Sequence, residues 1–78
     1  MARPYSALRG ELMKEDIDQT YLCELMGRSQ TYITQRFTAK RPWSQEDMYF
    51  LMDMLNLPYD QMHDYFPKNG LSRRRMDL

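Results

Sequence analysis

The sequence predicts an all-α fold, a compact domain of five short helices. Three observations lead there. Apolar residues recur at spacings of three and four, the signature of one helix face. Three glycines and four prolines punctuate the chain. No stretch shows the strict alternation of a half-buried strand, and there is no internal repeat.

Each element has its own justification. Tyr5, Leu8, Leu12 and Met13 predict a first helix over residues 4–16, with Pro4 suited to its first turn. Asp16-Ile17-Asp18 reads as a connection, Ile17 being its core plug and Glu15, Asp16 and Asp18 a solvated turn. Leu22, Leu25 and Met26 mark a second helix over residues 19–26, ended by Gly27 in a left-handed conformation. Ser29 is a good N-cap for a third helix over residues 30–37, with Tyr32, Ile33 and Phe37 apolar. The polar, proline-bearing segment 38–43 is a loop. Ser44-Gln45-Glu46-Asp47 has the form of a capping box. It opens a fourth helix with the stripe Met48, Leu51, Met52 and Leu55, ending near Asn56. Tyr59, Met62, His63 and Phe66 predict a short fifth helix stopped by Pro67. One domain is therefore expected over residues 1–67, with a flexible basic tail over 68–78 that carries Arg73, Arg74 and Arg75.

Composition narrows the function classes. Eleven basic and eleven acidic residues give a net charge of zero, unlike most nucleic-acid binders. The distribution is uneven, however. Between Leu25 and Gln45 the charged residues are Arg28, Arg36, Lys40 and Arg41, all positive. The single cysteine, Cys23, reads as a small core residue, and with no internal disulfide a cytoplasmic location is expected. No apolar run approaches the ~20 residues that span a membrane, and residues 1–6 lead into no signal-peptide core. No acid–base pair, phosphate-cradling glycine loop or metal cluster is present, so neither an enzyme nor a cofactor is expected. The lone His63 reads as structural, and the eight methionines read mostly as core filler.

The third helix carries the functional signal. Ser29, Gln30, Thr31, Thr34 and Gln35 are neutral hydrogen-bonding residues on its outer face. Glutamine can bond bidentately to adenine, and serine or threonine can touch several base edges. Cys23 and Ile33 flank Gly27 and lock the two helices together at a steep angle. The segment from Gln19 to Phe37, QTYLCELMGRSQTYITQRF, resembles the helix-turn-helix of phage Cro and repressor proteins. It is most similar to the short Cro-like proteins of phages and prophages of Gram-positive bacteria. Leu8-Arg9-Gly10, Lys40-Arg41-Pro42, Leu57-Pro58 and Tyr65-Phe66-Pro67 extend the likeness across roughly residues 8–70.

The resemblance implies a λ-repressor-like helix-turn-helix domain acting as a transcriptional repressor on a double-stranded DNA operator. It implies base reading by Gln30, Thr31, Thr34 and Gln35, with Ser29 beside them, and phosphate contacts from Gln19, Lys40 and Arg41. Arg28 and Arg36 are further phosphate candidates. Both depart from the family pattern, which usually has an apolar residue at the first and a core aliphatic at the second. The fourth helix is apolar nearly all round, which predicts a second buried face. Tyr49, Phe50, Met54, Tyr65 and Phe66 are its candidate homodimer contacts, with Trp43 and Tyr59 as possible local core. A twofold dimer would set two recognition helices ~34 Å apart. No membrane partner and no small-molecule substrate are expected. The competing expectation is a protein-interaction module, an antirepressor or inhibitor that uses the same fold without specific DNA binding.

Overall fold

The computed structural model describes residues 3–70. Five α-helices follow one another: α1 (Ser6–Lys14), α2 (Gln19–Met26), α3 (Gln30–Phe37), α4 (Gln45–Met54) and α5 (Met62–Tyr65). Single 3-10 turns at Tyr59–Gln61 and Lys68–Gly70 flank α5. There is no strand among the described residues. Nor is any helix there long and apolar enough to cross a membrane.

Helix starts follow from capping side chains. Ser29 Oγ accepts from the Tyr32 amide at 3.1 Å, and Ser44 Oγ accepts from the Asp47 amide at 3.1 Å. These satisfy amides that the first helical turn leaves without a partner. Asp18, exposed in the turn as expected, is also the cap of α2 and accepts from the Tyr21 amide at 2.8 Å. The start of α1 also differs from expectation. Pro4 lies outside the helix, and Tyr5 precedes it in a left-handed conformation with φ 59°. That turn drives the Tyr5 ring into the core.

Helix ends share one device. Asp16, Gly27, Ala39 and Asn56 all have φ between 58° and 66°. One residue further on, the amides of Ile17, Arg28, Lys40 and Leu57 bond back to the carbonyls of Leu12, Cys23, Gln35 and Met52. This is the Schellman closure, which pairs carbonyls that would otherwise be orphaned. Each of α1 to α4 therefore stops with its last carbonyls satisfied, and the chain turns sharply into the next element.

The core gathers Leu8 and Leu12 from α1, Leu22 and Cys23 from α2, Ile33 and Phe37 from α3, and Leu51 from α4. Ile17 packs against it from the α1–α2 connection, as expected. Met13 does not join the α1 stripe and is 73% exposed. It follows Leu12 by one position, and a step of 100° turns it away from the buried face. Trp43 is core, edge-on to Phe37 at 5.2 Å and to Phe66 at 6.0 Å. Tyr5 completes this aromatic cluster. Tyr59, the other local-core candidate, lies exposed against Tyr49.

The folded body extends past the expected boundary at residue 67. Lys68–Gly70 form a turn, and the Gly70 carbonyl accepts from the Tyr5 amide at 2.7 Å. Gly70 has φ 75°, and a Cβ there would stand 2.9 Å from both the Pro4 side chain and the Tyr5 ring. Only glycine permits so close an approach. The rest of the expected tail, including Arg73–Arg75, lies outside the described residues.

Candidate nucleic-acid interface

The α2–α3 pair is built around Gly27. Its φ of 66° ends α2, and Ser29 restarts the chain as α3 two residues later. Cys23 and Ile33 are buried on the facing sides, as expected for residues that lock the pair. The opposite side of α3 is open: Ser29, Gln30, Thr31 and Thr34 are exposed, while Gln35 is half-buried.

Side chains of α2 and α3 are joined across this open side. Gln19 Nε2 donates to Thr34 Oγ1 at 2.6 Å and, more weakly, to Gln30 Oε1 at 3.4 Å. Gln30 Nε2 in turn donates to Thr20 Oγ1 at 3.0 Å. Gln19 therefore sits against two of the candidate base-reading residues and fixes the direction of the Gln30 amide. Thr31 lies exposed beside this network, with no hydrogen bond from its side chain. Gln35 Oε1 accepts from Arg36 Nη1 at 3.4 Å. Lys40 and Arg41 follow α3 on an exposed loop. Lys40 is placed by its own amide bond to the Gln35 carbonyl.

Two of the candidate phosphate contacts are arranged otherwise. Arg28 turns toward α4, where Nη2 donates to Asp47 Oδ1 at 3.0 Å and lies 3.9 Å from Glu46. Its charge is engaged by these carboxylates. Arg36 lies flat on the Tyr32 ring, its guanidinium carbon 3.5 Å from the ring centre. Arg28 lies 4.6 Å from the same ring centre. The two departures from the family pattern therefore belong to one assembly: two guanidiniums against Tyr32, with the Tyr32 hydroxyl bonded to Asp47.

Asp47 is buried, and the sequence offered it a different role. As the acid of the Ser44 capping box it was expected to serve the start of α4. The Ser44 hydroxyl does cap the Asp47 amide, but the carboxylate reaches away from α4 instead, bonding Arg28 in the α2–α3 turn and Tyr32 on α3. Burial pushes this carboxyl upward. Hydrogen bonds from Tyr32 and Arg28, the Arg28 charge and Ser44 outweigh burial and hold it below its ordinary value. An arginine directly after Gly27, with an acid opening α4, was the available signal for this pair.

Sequence reading also missed Arg9. Its Nη2 donates to the Phe37 carbonyl and its Nε to the Pro4 carbonyl, both at 2.8 Å. The guanidinium covers the Phe37 ring at 4.8 Å. Arg9 thus closes the C-terminal end of α3, where a cation is favoured by the helix dipole.

The candidate dimer residues divide. Tyr49 and Phe50 are exposed on α4 at 39% and 41%. Met54 and Tyr65 are half-buried against the core. Phe66 is likewise half-buried, packed in the aromatic cluster with Tyr5 and Trp43. Tyr59, edge-on to Tyr49 at 4.9 Å, lies on the same exposed patch.

No family model matches the chain, and neither a curated protein nor a solved structure is significantly similar to it.

Proposed function

We propose that the chain is a sequence-specific double-stranded DNA-binding regulator, a Cro-like repressor with a λ-repressor-like helix-turn-helix. The observation that carries this reading is the open side of α3. It is free of acids, is lined by Gln30, Thr31, Thr34 and Gln35, and is braced by Gln19 from α2. A base-reading surface needs amide and hydroxyl groups held in fixed directions, because bidentate recognition fails when the donor can rotate away. The Gln19–Gln30–Thr20 hydrogen bonds supply that restraint. In this reading α3 enters the major groove, and Lys40 and Arg41 contact backbone phosphates beyond its end. The exposed Tyr49, Phe50 and Tyr59 form a homodimer face that sets two copies on a two-part operator.

The test is a fluorescence-anisotropy titration against the DNA upstream of the chain's own gene and against a scrambled duplex, at two salt concentrations. Tight binding to the first and weak binding to the second is expected. Gln30→Ala should abolish the difference between the two. Equal, weak and strongly salt-dependent binding to both would overturn the reading.

A second reading, a protein-interaction module, is favoured by the zero net charge and the exposed aromatic patch. Under it, Gln30→Ala and Gln35→Ala would leave partner binding unchanged, while Phe50→Glu would remove it.

A further inference from the structure

A groove of about 450 Å³ runs between α1, the start of α2 and the end of α3. Arg3 and Arg9 line it together with Gln19 and Phe37, and Asp16 and Asp18 line it as well. We infer that Arg3, before α1, and Arg9, on it, form a phosphate clamp that grips the backbone of the same duplex that α3 reads. The inference rests on the proposed DNA binding and adds residues outside the helix pair.

Placement is the first argument, and α3 serves as the ruler. Gln19 is bonded to Thr34, and Arg9 to the carbonyl of Phe37, three residues further on. At 1.5 Å per residue the two side chains meet α3 about 4.5 Å apart along its axis. Lys40 and Arg41 follow directly. A backbone strand running past Gln19 would therefore reach Arg9 before it reached the loop.

Charge is the second argument. Neither Arg3 nor Arg9 has a carboxylate within ion-pair distance among the described residues. Burial and the charge of Arg3 both push the Arg9 guanidinium below its ordinary value. Two like charges that face one groove, neither in an ion pair, are relieved by an anion. Arg9 keeps Nη1 for it, since Nε and Nη2 are held by the two carbonyls. Those same bonds fix the guanidinium in place, so the fork is already oriented when the anion arrives.

Asp16 and Asp18 do not cancel this site. Asp16 is seven residues beyond Arg9, past the end of α1. Asp18 is exposed, and its carboxylate accepts from the Tyr21 amide. Neither carboxylate lies within ion-pair distance of Arg3 or Arg9.

The experiment is the anisotropy titration repeated with Arg3→Ala, Arg3→Glu and Arg9→Lys over a series of salt concentrations. Arg3 is exposed and makes no hydrogen bond within the described fold, so its variants should fold normally. Arg9→Lys keeps the charge and loses the fork, and its melting curve separates folding from binding. Lys14→Ala, exposed and paired with Glu11, is the control. Arg3→Ala should weaken binding to operator and scrambled duplex alike, about 3- to 10-fold, and lower the salt slope by about 0.9. Arg3→Glu should weaken both further, and Lys14→Ala should change neither. Arg3 variants that leave affinity and slope intact while the unsubstituted chain binds would overturn the clamp alone. A loss confined to the operator would also overturn it, because phosphate contacts carry no sequence preference. No binding by the unsubstituted chain would overturn the DNA-binding reading itself.

Discussion

Asp47 is the buried charged residue of the described fold, and its environment makes its stability contribution pH-dependent. Its carboxyl lies below its ordinary value in the folded chain, so folding favours the ionised form. The contribution is full above the unfolded value, near 4. It is lost as pH falls through the lower folded value. Melting temperature measured from pH 7 to pH 2 should therefore drop steeply only at the acid end, and Asp47→Asn should flatten that drop. At pH 7 the same substitution leaves Arg28 and the Tyr32 hydroxyl without their anion. It should cost about 2 kcal/mol, or about 10 °C in a domain of this size. Unchanged melting at both pH extremes would show that the pair does not stabilise the fold. None of this was legible from residue types alone. Ser44 and Asp47 satisfy the capping-box pattern whether or not the carboxylate turns away, and only the packing of α4 against α3 decides where it points.

At the scale of the elements, helix boundaries were readable wherever a side chain sets them. Ser29, Ser44 and Gly27 act where their types are strongest, so α2 and α3 have the expected limits. The ends of α1 and α4 were less legible, because Asp16 and Asn56 adopt the left-handed conformation without being glycine. A residue with a Cβ pays roughly 1 kcal/mol for that conformation. Asp16→Gly should thus stabilise the fold by about 0.5 kcal/mol, after the flexibility it adds to the unfolded chain is subtracted. Thermal melts should register a gain of a few degrees, and a loss would mean that the Asp16 side chain has a role of its own. Ser29→Ala should lower stability by about 1 kcal/mol through the lost cap. It should also weaken DNA binding beyond that effect, because the first turn of α3 carries Gln30 and Thr31. Comparing melts with titrations at saturating stability separates the two.

For the whole molecule, the all-α architecture and most of the core followed from apolar spacing, since burial of one stripe per helix is the main driving term. The role of Phe66 did not follow from it. A short helix with several aromatics can turn either way, and Tyr5, brought in by its left-handed turn, provides the ring surface that draws Phe66 inward. The exposed patch left on α4 and the following turn predicts self-association. Sedimentation equilibrium at micromolar concentration should give a dimer, and Phe50→Glu should give a monomer that remains helical. A monomer before substitution would dismiss this face as the contact. The bond between Tyr5 and Gly70 has another consequence. It brings the first and last described segments edge to edge, so the path of the backbone is nearly a closed ring. Covalent joining of those segments by a short linker, with new ends opened in the exposed loop at Lys40–Pro42, would change the order of the helices along the chain. The same helices would still meet at the same neighbours, because the fold already treats the junction as continuous.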